Sequence, residues 1–249
     1  MPYGGVGLMI PSSQMNKDAL ISPGVSFRFG YFQPVTKGRP IAKGGYHVGI
    51  ELRIEYSKFP ADLSTPVSVS NLRYRNGGTS PVTVVPQLEA KEKKPDAFHF
   101  LIGPSVFIWK KTFFFQPSLL LGYASFAQEP FRYYDTIRLV SDPTQNGLIN
   151  LYTAPHETNN GFVVVPGCKA GIRLSPRMAA FISADYSFGA KQDFTDQVFV
   201  PSGSPDAGGV FDFQQVKNGT LQSGVRQSRV RALSLSLNLG LTFPRKAEK

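Results

Sequence analysis

The sequence predicts an all-β chain closed into an antiparallel up-and-down transmembrane β-barrel of about eight strands, with long loops on one side and short turns on the other. Three observations predict it. Apolar and polar residues alternate along most of the chain, connections alternate between short and long, and aromatic residues gather near the ends of the alternating runs. The 249 residues include 20 Phe and 10 Tyr, with 24 Gly and 20 Pro, a composition that suits one large β domain and gives no hint of a helical bundle. No apolar run reaches the roughly 18 residues that a transmembrane helix needs. A mean hydropathy of −0.13 does not argue against a membrane protein of this kind, because alternating strands average to low hydropathy.

The elements follow in order. Gly4–Ile10 is short and glycine-rich, and it is needed as strand one for the count to close. Val25, Phe27, Phe29 and Tyr31 then oppose Ser26, Arg28, Gly30 and Phe32. Tyr46, Val48, Ile50, Leu52, Ile54 and Tyr56 oppose His47, Gly49, Glu51, Arg53 and Glu55. Phe98 to Trp109 is apolar on both faces, with Phe98, Phe100, Ile102, Val106 and Ile108 on the more apolar one. Phe115–Ala124, Phe162–Leu174 and Ala180–Gly189 repeat the alternation. The final run is the cleanest: Leu233, Leu235, Leu237, Leu239, Leu241 and Phe243 share one face, against Ala232, Ser234, Ser236, Asn238, Gly240 and Thr242. Side chains alternate across a strand, so each run has one lipid-compatible face and one small or polar face. Trp109–Thr112 and Ser175–Met178 are tight turns, and Gln33–Gly44 is fairly short. The segments 11–23, 57–96, 127–160 and 190–227 are expected to be loops, so that Ser57 should tolerate a charge. The expected organisation is one barrel over residues 1–243 and a periplasmic basic tail over 244–249.

Charge divides by location. The net charge is +10. The short turns and tail carry Lys37, Arg39, Lys43, Lys110, Lys111, Arg177, Arg245, Lys246 and Lys249 against Glu248 alone, whereas the long loops nearly balance, with twelve basic and thirteen acidic residues. One rim is therefore basic, and Lys37, Arg39, Lys43, Lys110, Lys111 and Arg177 are the candidate contacts for a partner or for lipid headgroups. On the inward faces, Arg28, Arg53, Lys169 and Arg173 stand against Glu51, Glu55 and Asp185. Buried charges must pair, so these seven are expected to form a polar network that fills a narrow lumen.

No chemistry-bearing motif is found. Cys168 is the single cysteine, and His47, His99 and His156 have no ligand spacing to one another, so no metal or cofactor is expected. His47 and His99 are the candidate bases for a lipid-modifying enzyme. Ser105 shares the His99 face but lies about 20 Å along the strand, so no catalytic residue is assigned. The basic residues lie in separate turns without a nucleic-acid motif, so no nucleic acid is expected as partner. Met1–Ile10 has neither the basic start nor the apolar core of a secretory signal, and the expectation is that a signal has been removed.

The Leu233–Phe243 strand with its terminal aromatic, and the alternation of long loops and short turns, resemble the small bacterial outer-membrane β-barrel family, of the OmpA, OmpX and OmpW kind. The resemblance is architectural and spans nearly the whole chain. It implies a Gram-negative outer-membrane location, with long loops outward, short turns toward the periplasm, and outer-membrane lipid around the strands. It also implies that the terminal aromatic strand serves as the signal read by the barrel-insertion machinery; here six residues follow Phe243. The expected role is that of a structural or interaction protein, for instance a subunit of a cell-envelope assembly. The alternatives are a porin-like small pore or transporter for hydrophobic compounds, a lipid-modifying enzyme and, at the level of the fold, a soluble lipocalin-like barrel or sandwich.

Overall fold

The computed structural model describes residues 1–19, 21–36, 44–61, 71–90 and 94–241. Eight long strands are hydrogen-bonded in a closed ring: β1 (Pro2–Pro11), β2 (Gly24–Pro34), β3 (Gly45–Lys58), β7 (Asp96–Lys110), β8 (Phe113–Gln128), β11 (Glu157–Ser175), β12 (Met178–Val200) and β14 (Thr220–Leu241). Neighbours are antiparallel. The ring closes because β11 pairs with both β8 and β12, while β14 joins β12 to β1. Gly4–Ile10 does form a strand, and it extends one residue or more at each end.

The pairing registers determine the ring's shape. A circuit of directly opposed residues leaves β11 at Ala170 and passes Ile182, Leu237, Val6, Phe27, Tyr56, Phe98 and Ser125. It returns to β11 at Asn160, ten residues along. That stagger over eight strands tilts them by about 40° from the ring axis, and a ring of this size leaves an interior just wide enough for side chains to fill.

The sheet is larger than the eight strands expected. β12 and β14 continue well beyond the ring, and β10 (Gly147–Ala154), β9 (Phe131–Ile137) and β6 (Gln87–Ala90) add to the extended end of β12, making eleven strands. A second small sheet joins β13 (Phe211–Asp212), β4 (Arg73–Arg75) and β5 (Val82–Thr83). Much of what the sequence assigns to loops over 57–96, 127–160 and 190–227 is therefore strand. The alternation is silent there for a physical reason. Lys191, Gln192 and Asp193 on β12 face Arg229, Ser228 and Gln227 on β14. Polar side chains stand on both faces, so no apolar face marks the strand. Ser57, expected to be tolerant, points into the ring and is fully buried. A short helix, Ser13–Ala19, occupies the first long connection.

Three apolar clusters lie along the axis. Tyr3, Trp109, Phe114, Ala179 and Phe181 fill the end where the tight turns lie. Met9, Met15, Phe59, Leu101, Leu120, Phe126, Phe194 and Val230 belong to a cluster nearer the opposite end. A third, including Tyr74, Phe131, Tyr133, Leu151, Tyr152 and Phe213, is the core of the lobe built by the added strands.

Candidate functional site: a buried ion network inside an apolar band

Between the first two clusters the ring interior is ionic. Strand alternation points Glu51, Arg53 and Glu55 inward from β3, Arg28 from β2, Lys169 from β11 and Asp185 from β12. All six are buried, at no more than 3 % exposure. Arg28 sits directly opposite Glu55 in register and pairs with it at 3.0 Å, and it reaches Asp185 at 2.6 Å. Arg53 meets the same Asp185 carboxylate at 2.9 Å. Lys169 pairs with Glu51 at 2.5 Å. Three cations thus face three carboxylates, Arg28 and Arg53 with Glu55 and Asp185, and Lys169 with Glu51.

Neutral side chains complete it. The Arg28 guanidinium also donates to Ser183 and Ser234, and Ser234 donates to Glu55 Oε1 at 2.7 Å. Gln116 donates to Glu51 Oε2 at 3.1 Å. The Tyr3 hydroxyl donates to Glu51 Oε1 and accepts from Lys169, whose ammonium lies 4.1 Å from the Tyr3 ring centre. Sequence reasoning misses Tyr3 because it starts the first strand at Gly4, two residues too late; parity with Gly5 and Gly7 would have placed the ring inward. Gly167 makes room for the hub of the network, since a Cβ there would collide with Asp185 Oδ1.

Arg173 is a correction. It shares the inward parity of Lys169, but it lies at the turn end of β11. There its guanidinium donates to the Ser175 and Pro176 carbonyls, at 3.2 and 2.9 Å. It is half-buried and far down the strand from the carboxylates, which leaves the network balanced at three against three. Phe32, Leu120 and Phe181 all point inward and are buried. His99 lies opposite Glu55 and Ala124 in register. The Ser105 hydroxyl is committed elsewhere, donating to the Pro117 carbonyl at 3.2 Å and accepting from Gln116 at 2.7 Å. His47 stacks on Trp109 at the turn end, with ring centres 4.7 Å apart.

The outer surface is the reverse of the interior. Val6, Phe29, Ile50, Phe100, Leu121, Phe162, Ile182 and Leu237 are exposed large apolar residues, and together they represent all eight strands of the ring. This band has charged borders. Lys58, Asp96, Lys191, Asp193, Arg229 and Arg231 stand at the lobe end, and Lys110, Lys111 and Arg177 at the turn end. Among the described residues no outward position between those borders is charged. Lys110 and Lys111 in the β7–β8 turn and Arg177 in the β11–β12 turn share one end, beside the start of β1 and the last described residues of β14. Lys37, Arg39, Lys43, Phe243 and the tail 244–249 lie outside the described residues.

The chain is similar to an outer-membrane protein of known structure. That protein is a major outer membrane protein from Thermus thermophilus, with 13% identity and a TM-score of 0.43 over 97% of this chain and 98% of the other. No family model matches the chain, and no curated protein does.

Proposed function

We propose that this chain is an outer-membrane β-barrel that acts as an anchor and interaction protein: a plugged barrel that presents the strand-built lobe outside the cell and a basic rim to the periplasm, within a cell-envelope assembly. The observation that carries the reading is the apolar, uncharged band around the whole ring. A soluble protein rarely exposes a contiguous apolar patch beyond a few hundred Å². A closed ring also pairs every backbone group that would otherwise face lipid. The interior favours an anchor over a pore, because the ion network is buried between two apolar clusters.

The membrane reading is tested by electrophoresis of detergent-extracted protein. The unboiled sample is expected to run at a different apparent mass from the boiled one. Identical mobility, with recovery in the aqueous fraction, would count against a membrane barrel. The rim is read as a docking surface for an acidic segment of an envelope partner. Its cations come from separate turns, and only charges clustered within about a Debye length, ~8 Å at physiological salt, act together. Replacing Lys110, Lys111 and Arg177 by Gln is expected to reduce co-purification of partners in gentle detergent, most clearly at low salt. Unchanged co-purification would remove this part of the proposal.

A further inference from the structure

The apolar band is not uniform around the ring. On β2, β7 and β8 it carries the rings of Phe27, Phe29, Phe98, Phe100 and Phe115. Across β11, β12, β14 and β1 the middle of the band carries aliphatic and small side chains without rings, and there an outward groove of about 390 Å³ is lined by Leu8, Cys168, Ala170, Ile182, Ala184 and Leu235. Directly above the groove, at the lobe-side border of the same strands, stand three exposed cations. Arg229 is opposite Lys191 in register, and Arg231 is opposite Phe188. Among the described residues none of the three has an ion-pair partner. Arg226, further up β14, is engaged with Asp196 at 2.9 Å. Along β12 the next carboxylate beyond Lys191 is the exposed Asp193, two residues on, and Lys17 of the short helix adds a further exposed cation at this end. Tyr186 and Phe188, with ring centres 4.6 Å apart, stand on β12 between Ala184 and Lys191.

We propose that this face binds one net-anionic, phosphate-bearing lipid of the surrounding membrane, with its phosphate against Lys191, Arg229 and Arg231 and an acyl chain lying down the groove past Tyr186 to Ala184. The chemistry is complementary at both ends. A groove within the lipid band accepts only an apolar chain, and the cations at the membrane border face headgroup depth. From Leu235 to Arg231 is four residues, or about 13 Å along the strand, within the length of an acyl chain. Each basic group near an anionic surface contributes about 1 kcal/mol, so three of them together distinguish a net-anionic phosphate lipid from a zwitterionic one, whose own ammonium already balances its phosphate. The inference rests on the membrane reading of the previous section.

The test is electron paramagnetic resonance on the protein reconstituted in phosphatidylcholine vesicles. The vesicles carry trace spin-labelled phosphatidic acid or, separately, spin-labelled phosphatidylcholine, and the motionally restricted fraction is measured. Phosphatidic acid is expected to associate several-fold better, by about fivefold or more at low salt. The variant K191Q/R229Q/R231Q brings the ratio to about one. Ala184→Trp, which fills the groove, also lowers the restricted phosphatidic acid, whereas K110Q/K111Q/R177Q at the opposite rim keeps the selectivity. Electrophoresis before and after boiling shows that each variant is folded. Selectivity that survives K191Q/R229Q/R231Q, or that is lost equally in the opposite-rim variant, overturns the proposal. Insertion with equal restraint of both lipids overturns the site alone. A protein that stays out of the vesicles and restrains neither lipid overturns the membrane reading with it.

Discussion

At the residue scale, Asp185 is the hub of the interior. Its carboxylate takes both Arg28 and Arg53, and Gly167 opposite it has no side chain to push it aside. Burying charges costs free energy that only good pairing offsets, so removing one partner is more damaging than replacing the group with apolar residues of similar volume. Asp185→Asn is therefore expected to lower unfolding stability by about 3–5 kcal/mol, read from denaturant unfolding in detergent or lipid. A loss well under 1 kcal/mol would mean that the two arginines find other partners. Gly167→Ala should act in the same direction, because the added methyl displaces the carboxylate from both guanidiniums. The six residues of the network were legible in the sequence from parity and charge balance alone. Arg173 was not separable from them, because alternation reports which way a side chain points and says nothing of how far along the axis its partners lie.

At the scale of elements, the lobe is held by polar links that leave no periodic trace. The connection between β12 and the helix Phe213–Lys217 is organised by Asp206. It accepts from the amides of Gly208 and Val210 at 2.9 and 3.0 Å and pairs with Arg75 of β4 at 2.5 Å. The hydrogen bond from Arg75 is the main cause that holds the Asp206 carboxyl below the ordinary aspartate range, aided by those amides. The sign follows from linkage. A depressed folded-state value stabilises the loop above the ordinary aspartate value of about 3.9, and the contribution is lost as pH falls through the lower folded value. Hydrogen-exchange protection at Gly208 and Val210, taken relative to the intrinsic exchange rate at each pH, should therefore fall on acidification into that window, and Asp206→Asn should lower it already at neutral pH. Protection independent of both changes would show that the loop is held by its apolar contacts. A second polar link joins the Tyr152 hydroxyl of β10 to Asp196 of β12, at 3.1 Å. Burial is the largest cause raising the Tyr152 hydroxyl above its ordinary range, so it donates at any physiological pH.

For the whole molecule, the decisive property is inversion: ions inside, hydrocarbon outside. Leu237 is 62 % exposed on the outer face of β14. Leu237→Arg is expected to cost about 2–4 kcal/mol if it lies near the middle of the bilayer. The control belongs at Gln222, an exposed residue of β14 in the extended, lobe-side part of the strand, where Arg should change stability little. It does not belong at Ser57, which is buried in the ring interior. Equal tolerance at Leu237 and Gln222 would argue that the band meets water, and the lipid reading would then fail.

What the sequence by itself determined is whatever a period of two can encode. The all-β class, the eight long strands, the inward set Arg28, Glu51, Arg53, Glu55, Lys169 and Asp185, and the grouping of Lys110, Lys111 and Arg177 all follow from alternation and from the antiparallel order of hairpins. That information is local, because each strand must sort its own side chains between two unlike environments. The ten-residue stagger, the choice of Asp185 as the shared anion, and the lobe of β6, β9 and β10 were decided by the tertiary structure alone. They depend on pairings between segments far apart in the chain. Beyond the apolar band, moreover, both faces of a strand such as 190–200 carry polar residues, so strand and loop look alike until the partner strand is in place.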